Sequence, residues 1–159
     1  MPDDDQTNSP ALPPATLRAS YAIWASDTLR YGDTDRQGHV NNAVFATFCE
    51  SGRVSFLYDE KLNLRGPDAE FAIVRLELDF RAELYYPGTI DIGTRVLAIG
   101  RSSFRLGQGI FTGERCAATA ECVMVLLDPQ THKAKPLTPH LRRWLEARLA
   151  RWAAGVSAN

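Results

Sequence analysis

Four strand-length segments in a row, joined by turns too short to hold a helix, limit this chain to few folds. From Val74 to Arg81, the apolar Val74, Leu76, Leu78 and Phe80 alternate with Arg75, Glu77, Asp79 and Arg81, the period-two pattern of a half-buried strand. A turn at Pro87-Gly88 leads into a segment where Ile90, Ile92, Val96 and Ala98 alternate. The third segment, Ser102 to Phe111, sets Phe104, Leu106 and Ile110 on one face and Gly107 and Gly109 on the other. Glycines inside a strand mark a bulge or the close approach of a ligand or another stretch of backbone. After Gly113-Glu114, Cys116 to Leu127 is apolar on both faces, as a covered central strand is. Strands joined this closely form an antiparallel meander.

Upstream lies one long helical pattern. Phe45, Phe48, Cys49, Gly52 and Phe56 recur on one face of a segment predicted to run from Asn42 to Tyr58. Gly52 costs about 1 kcal/mol relative to alanine in a helix interior, which points to a close approach between helix and sheet. Glu50 and Arg53, three apart, are placed to pair. Tyr21 to Arg30 reads as a first strand, while Asn63 to Asp68 and Asp128 to Leu137 read as loops. Thr138-Pro139, an N-cap followed by proline, opens a terminal helix. Its apolar stripe is Leu141, Trp144, Leu145, Leu149 and Trp152, with arginines opposite. The order of elements is α+β, not alternating βαβ. With one helix inside the span of the sheet, the sheet must curl around it to bury both.

A chain of 159 residues suits one domain with a real core. Residues 1–17, acidic and rich in proline, are expected to be a disordered or loosely ordered arm. Residues 18–153 form the domain and 154–159 a tail. Eighteen basic against nineteen acidic residues leave a net charge of −1 and no global field for nucleic acid. No apolar run approaches the roughly 20 residues that span a bilayer, and the N-terminus lacks a signal-peptide core. Cys49, Cys116 and Cys122 have no disulfide-framework spacing, so reduced core thiols and a cytoplasmic location are expected.

The chemistry concentrates between Arg30 and Arg53. Asp33 and Asp35 precede the turn residue Gly38, and Asn41 or Asn42 can cap the long helix. An ionised carboxylate thus stands a few residues before a helix N-terminus, where unpaired N–H groups and the positive end of the dipole face outward. A carboxylate beside an oxyanion site is what acyl transfer requires. The same acids are also common turn-formers.

The run Asp33-Thr34-Asp35-Arg36-Gln37-Gly38-His39-Val40-Asn41-Asn42, followed by Phe45, Glu50 and Arg53, resembles the 4-hydroxybenzoyl-CoA thioesterase branch of the hotdog-fold superfamily. The resemblance extends from about Tyr21 to Leu149. It implies a five-stranded antiparallel sheet curled around one long central helix, with the C-terminal helix added. It implies hydrolysis of an acyl-CoA thioester in a homodimer or homotetramer, with Asp35 as general base or nucleophile and the backbone N–H of Asn42 as oxyanion donor. Asp33 then braces the loop. Glu50 is a candidate second carboxylate, although holding a water or pairing with Arg53 is the favoured role for it. His39, Val40, Asn41 and Ser103 are candidates for substrate contact, and Arg101 and Arg105 for the CoA phosphates. No cofactor is expected beyond the CoA of the substrate, and no metal, since His39, His132 and His140 lack ligand spacing.

Two other functions fit the same fold. A hotdog hydratase or dehydratase uses Asp-x-x-x-x-His, and Asp35 to His39 is one residue short. A non-catalytic acyl-CoA-binding domain is the third. Gly-x-Ser-x-Gly and phosphate-binding glycine loops are absent from the sequence.

Overall fold

The computed structural model describes residues 12–155, with the side chains of 150–155 left aside. Its elements are β1 (Ile23–Leu29), α1 (Asn42–Leu57), β2 (Glu70–Phe80), β3 (Gly88–Ile99), β4 (Ser103–Thr112), β5 (Arg115–Leu127) and α2 (Pro139–Gly155). The strands form one antiparallel sheet in the order β1-β3-β4-β5-β2. This is the hotdog arrangement expected from the sequence, but the four-strand meander is not formed: β3, β4 and β5 pair in succession, while β2 crosses over to pair with β5 at the far edge.

The sheet wraps α1, and the core divides along that helix. Toward its start, Phe45, Phe48 and Cys49 pack on Leu29, Val40, Leu84, Ile90, Ile92 and Ile110. Toward its end, Phe56 and Leu57 join Phe104, Leu106, Met124 and Leu126, and α2 closes that side with Leu141 and Leu145. Trp144 stacks on Phe56, ring centroids 5.3 Å apart.

Gly52 explains how close helix and sheet come. A Cβ there would stand 2.5 Å from Ile92 Cγ2 and 2.9 Å from Gln108 Nε2. The buried Gln108 amide donates through Nε2 to the Cys49 carbonyl (3.0 Å) and the Thr94 hydroxyl (3.2 Å), and its Oε1 accepts from Arg53 Nη1 at 3.1 Å. Arg53, only 5% exposed, therefore faces the sheet. The expected Glu50–Arg53 pair does not form, because the helix turns Glu50 outward.

Two further expectations change. The alternation expected across Val74 to Phe80 breaks at a bulge between Ile73 and Arg75, so Leu76 and Leu78 are half-buried while Val74 is 63% exposed. This strand is a sheet edge. The expected loose arm is anchored from Pro13 onward: the Pro13 carbonyl accepts from Arg95 Nη1 (2.8 Å) and the Ala15 carbonyl from the Tyr21 hydroxyl (2.6 Å). Tyr21 lies over Gly93 and Gly109, and Arg95 over Gly107, so those glycines admit side chains of this same chain. Residues 1–11 and 156–159 lie outside the described residues.

Candidate active site

The loop between β1 and α1 is built from short-range bonds that its sequence dictates. Asp33 accepts from the Arg30 N–H at 2.8 Å through Oδ2, and its carbonyl accepts from the Asn41 N–H at 2.8 Å. It ties the loop's entry to its exit, as a brace. Asp35 starts a tight turn in which the Gly38 N–H donates to the Asp35 carbonyl at 3.0 Å. Gly38 has φ +87°, a conformation that favours glycine. Asp35 Oδ1 accepts from the Gln37 N–H at 2.8 Å, the Asp side chain copying a backbone turn. Oδ2 has a different neighbour, standing 3.5 Å from His39 Nδ1. One carboxylate oxygen thus shapes the loop while the other faces an imidazole.

Asn41 caps α1, its Oδ1 accepting from the Ala43 N–H at 3.0 Å. Asn42 is the first helical residue, and its own N–H has no hydrogen-bond partner among the described residues. A cavity of about 360 Å³ opens at this point, lined by His39, Val40, Asn42, Phe45, Phe80, Arg81, Ala82 and Glu83. A free N–H at a helix start is suited to an anionic oxygen.

The structure brings His39, Val40 and Asn42 to the cavity, with Asp35 behind His39 and Asn41 acting as the cap. Asp35 does not itself line the cavity, although 29% of its side chain is exposed. Glu50 and Ser103 are not brought there. Glu50 borders a separate hollow between α1 and β2, with Ala46, Thr47, Arg53 and Ile73–Leu76. Ser103 begins β4 beside the turn whose Gly100 carbonyl accepts from Arg142 of α2. Arg105 pairs with Glu121 at 2.8 Å. The three cysteines are free thiols, and burial pushes the Cys49 thiol up to about 12.

Sequence reasoning missed the far wall. Phe80, Arg81 and Glu83 come from the end of β2 and the segment after it, which pairs with the acidic loop through a His39–Tyr85 bridge and a Val40 N–H to Leu84 carbonyl bond of 2.8 Å. Glu83 Oε1 stands 3.5 Å from His39 Nε2. The Tyr85 hydroxyl donates to Glu83, which holds the phenol above its ordinary range, and the Tyr85 ring meets His39 edge-on. The available sequence signal was the alternation of Glu83, Leu84 and Tyr85 ahead of Pro87-Gly88.

Among the described residues, no group of three or more His, Cys, Asp or Glu side chains is arranged to hold a metal ion. No described helix is long and apolar enough to cross a membrane. A carboxylate, an imidazole and a free helix-start N–H around one cavity can activate water and receive a developing oxyanion.

A sequence model described as the thioesterase-like superfamily matches residues 29–145. The 1,4-dihydroxy-2-naphthoyl-CoA hydrolase of Synechococcus elongatus is 27% identical over 123 residues, covering 74% of this chain and 90% of that protein. A Pseudomonas aeruginosa protein of known crystal structure superposes with a TM-score of 0.76 at 27% identity, covering 83% of this chain and 94% of the other. A Thermus thermophilus thioesterase, crystallised with coenzyme A and Zn, gives a TM-score of 0.70 at 26% identity over 82% of this chain and 96% of its own.

Proposed function

The chain belongs to the thioesterase-like superfamily, and from that premise we propose that it hydrolyses an acyl-CoA thioester to free acid and CoA in the cavity at the start of α1. The observation that carries this reading is an unpartnered N–H on Asn42, a residue of the cavity wall shared with His39, and Asp35 Oδ2 3.5 Å from that ring. A thioester is already activated, so a directed water and a donor for the carbonyl oxygen suffice. Asp35 acts through its carboxylate on the attacking water or the carbonyl carbon. The Asn42 N–H receives the oxyanion, a role worth on the order of 3 kcal/mol.

Aromatic acyl groups are the first to assay, since relatives are named as naphthoyl-CoA hydrolases and Phe45 and Phe80 meet edge-on at 5.3 Å in the cavity wall. The working form is a dimer. The edge strand β2 exposes Ile73, Val74 and Phe80, and an unpaired apolar edge needs cover. A second copy on that edge would complete the cavity that begins at Phe80.

The test is thiol release from short, medium, long and aromatic acyl-CoAs, with an enoyl-CoA included to detect hydration without thiol release. Asp35→Asn is expected to lower kcat by about 100-fold or more with the fold retained. Equal rates for the two proteins would remove Asp35 from the mechanism. Absence of thiol release from every thioester would refute the hydrolase reading.

A further inference from the structure

Asp35 and Glu83 approach the two nitrogens of one imidazole from different parts of the chain: Oδ2 of Asp35 lies 3.5 Å from Nδ1 of His39, and Oε1 of Glu83 lies 3.5 Å from Nε2. Of the three, His39 and Glu83 line the cavity and Asp35 does not. The ring cannot easily leave this position. Its backbone carbonyl accepts from the Asp35 N–H at 2.9 Å, its residue bridges to Tyr85, and the Tyr85 ring stands edge-on to it at 5.9 Å. Glu83 is itself held, by the Tyr85 hydroxyl on its carboxylate and by Arg115 Nη2 on its carbonyl at 3.0 Å. Arg81 is the remaining charged side chain on the cavity wall, and its Nε donates to Thr119 at 3.0 Å. A loop that needed only packing at position 39 would have no use for carboxylates at both ring nitrogens.

We propose that His39 is the proton carrier of this site and Glu83 the residue that positions it, an inference that rests on the hydrolase reading. The attacking water, bound at the solvent-exposed part of the Asp35 carboxylate beside His39, gives a proton to that carboxylate as its oxygen bonds to the acyl carbon. Asp35 passes that proton to Nδ1 of the neutral ring, making an imidazolium with N–H donors toward both carboxylates. As the carbon–sulfur bond breaks, the imidazolium yields a proton to the departing sulfur. The products are a carboxylic acid and a thiol, and the Asp35 carboxylate and neutral His39 are restored. No other reactant is consumed. His39 meets the leaving group and is catalytic in this scheme; Glu83 acts through it.

The scheme makes a distinction that a structural role for His39 does not. An alkyl thiolate such as that of CoA is a poor leaving group and benefits from protonation, whereas an aryl thiolate departs without it. His39→Ala and His39→Gln are therefore assayed on an acyl-CoA and on the matched S-phenyl thioester, with circular dichroism as the control for folding. Expected is a loss in kcat of about 100-fold on the CoA ester and less than about fivefold on the phenyl ester, with KM nearly constant. Glu83→Gln should show the same asymmetry at about tenfold on the CoA ester. Asp35→Asn, which removes the base for both esters, should lose activity on both alike. Equal losses on the two esters for both folded His39 variants would overturn the proposal while leaving the hydrolase reading intact. A wild-type protein that releases thiol from neither ester would overturn both.

Discussion

Replacing Gly52 by alanine sets two calculable effects against each other. Helix propensity favours alanine by about 1 kcal/mol. The new methyl, however, would stand 2.5 Å from Ile92 Cγ2 and 2.9 Å from Gln108 Nε2, where carbon atoms prefer separations of about 3.5–4.0 Å. Ile92 is fully buried on β3, and Cγ2 is fixed directly to its Cβ, so the strand or the helix has to move. Overpacking of this kind costs about 1–3 kcal/mol. Displacing Gln108 also weakens its bond from Arg53, and a hydrogen bond to a charged group contributes about 1.5–3 kcal/mol. The balance is a net loss of about 1.5–5 kcal/mol, which for a domain of this size lowers Tm by on the order of 10 °C. Thermal and urea melts followed by circular dichroism measure it. Ile92→Ala in the same chain should relieve the contact, so the double variant loses less than the two singles together, by about 1–2 kcal/mol. A Gly52→Ala protein as stable as wild type would refute the close-approach account of this glycine.

Other outcomes follow from the same geometry. Asn41→Ala removes the side-chain cap and should cost about 1 kcal/mol, whereas Asn42→Ala keeps the backbone donor and should leave kcat within about twofold; a large kcat loss for a folded Asn42→Ala would bring its side chain into the chemistry. Val74→Asp places a charge on the exposed edge and should yield a monomer by light scattering, with thiol release reduced. Burial raises the Cys49 thiol from an ordinary 9.0 to about 12, so the folded state holds a proton that the unfolded state gives up. Its contribution to stability is full below pH 9 and is lost as pH rises from about 9 toward about 12, visible as a fall in urea midpoint that is shallower in Cys49→Ala but not abolished, because burial raises the Cys116 and Cys122 thiols too. Alkylation at pH 8 should modify the half-buried Cys116 first, with Cys49 reacting only on unfolding.

The two walls of the candidate site differ in how far their parts lie apart along the chain. The near wall is local. Asp35 bonds the N–H two residues on, Gly38 closes the turn three residues on, and Asn41 caps the helix that starts at Asn42. Such short-range geometry follows from residue type and spacing, which is why the turn at Gly38 and a cap at Asn41 or Asn42 are legible in the sequence. The far wall arrives through strand pairing across more than forty positions, since His39 meets Tyr85 and Glu83 only because the sheet has curled.

By itself the sequence determined the fold class, the order and rough limits of the elements, the acidic turn and the helix start, because period, turn chemistry and capping are properties of neighbouring residues. The tertiary structure alone decided that Arg53 faces Gln108 and not Glu50, that the bulge in β2 turns Val74 outward, that Tyr21 lies over Gly93 and Gly109 with Pro13 bonded to Arg95, and that His39 rather than Asp35 borders the cavity. Each depends on which distant segment fills a given space. No period or motif encodes that, because packing is settled by the whole core at once.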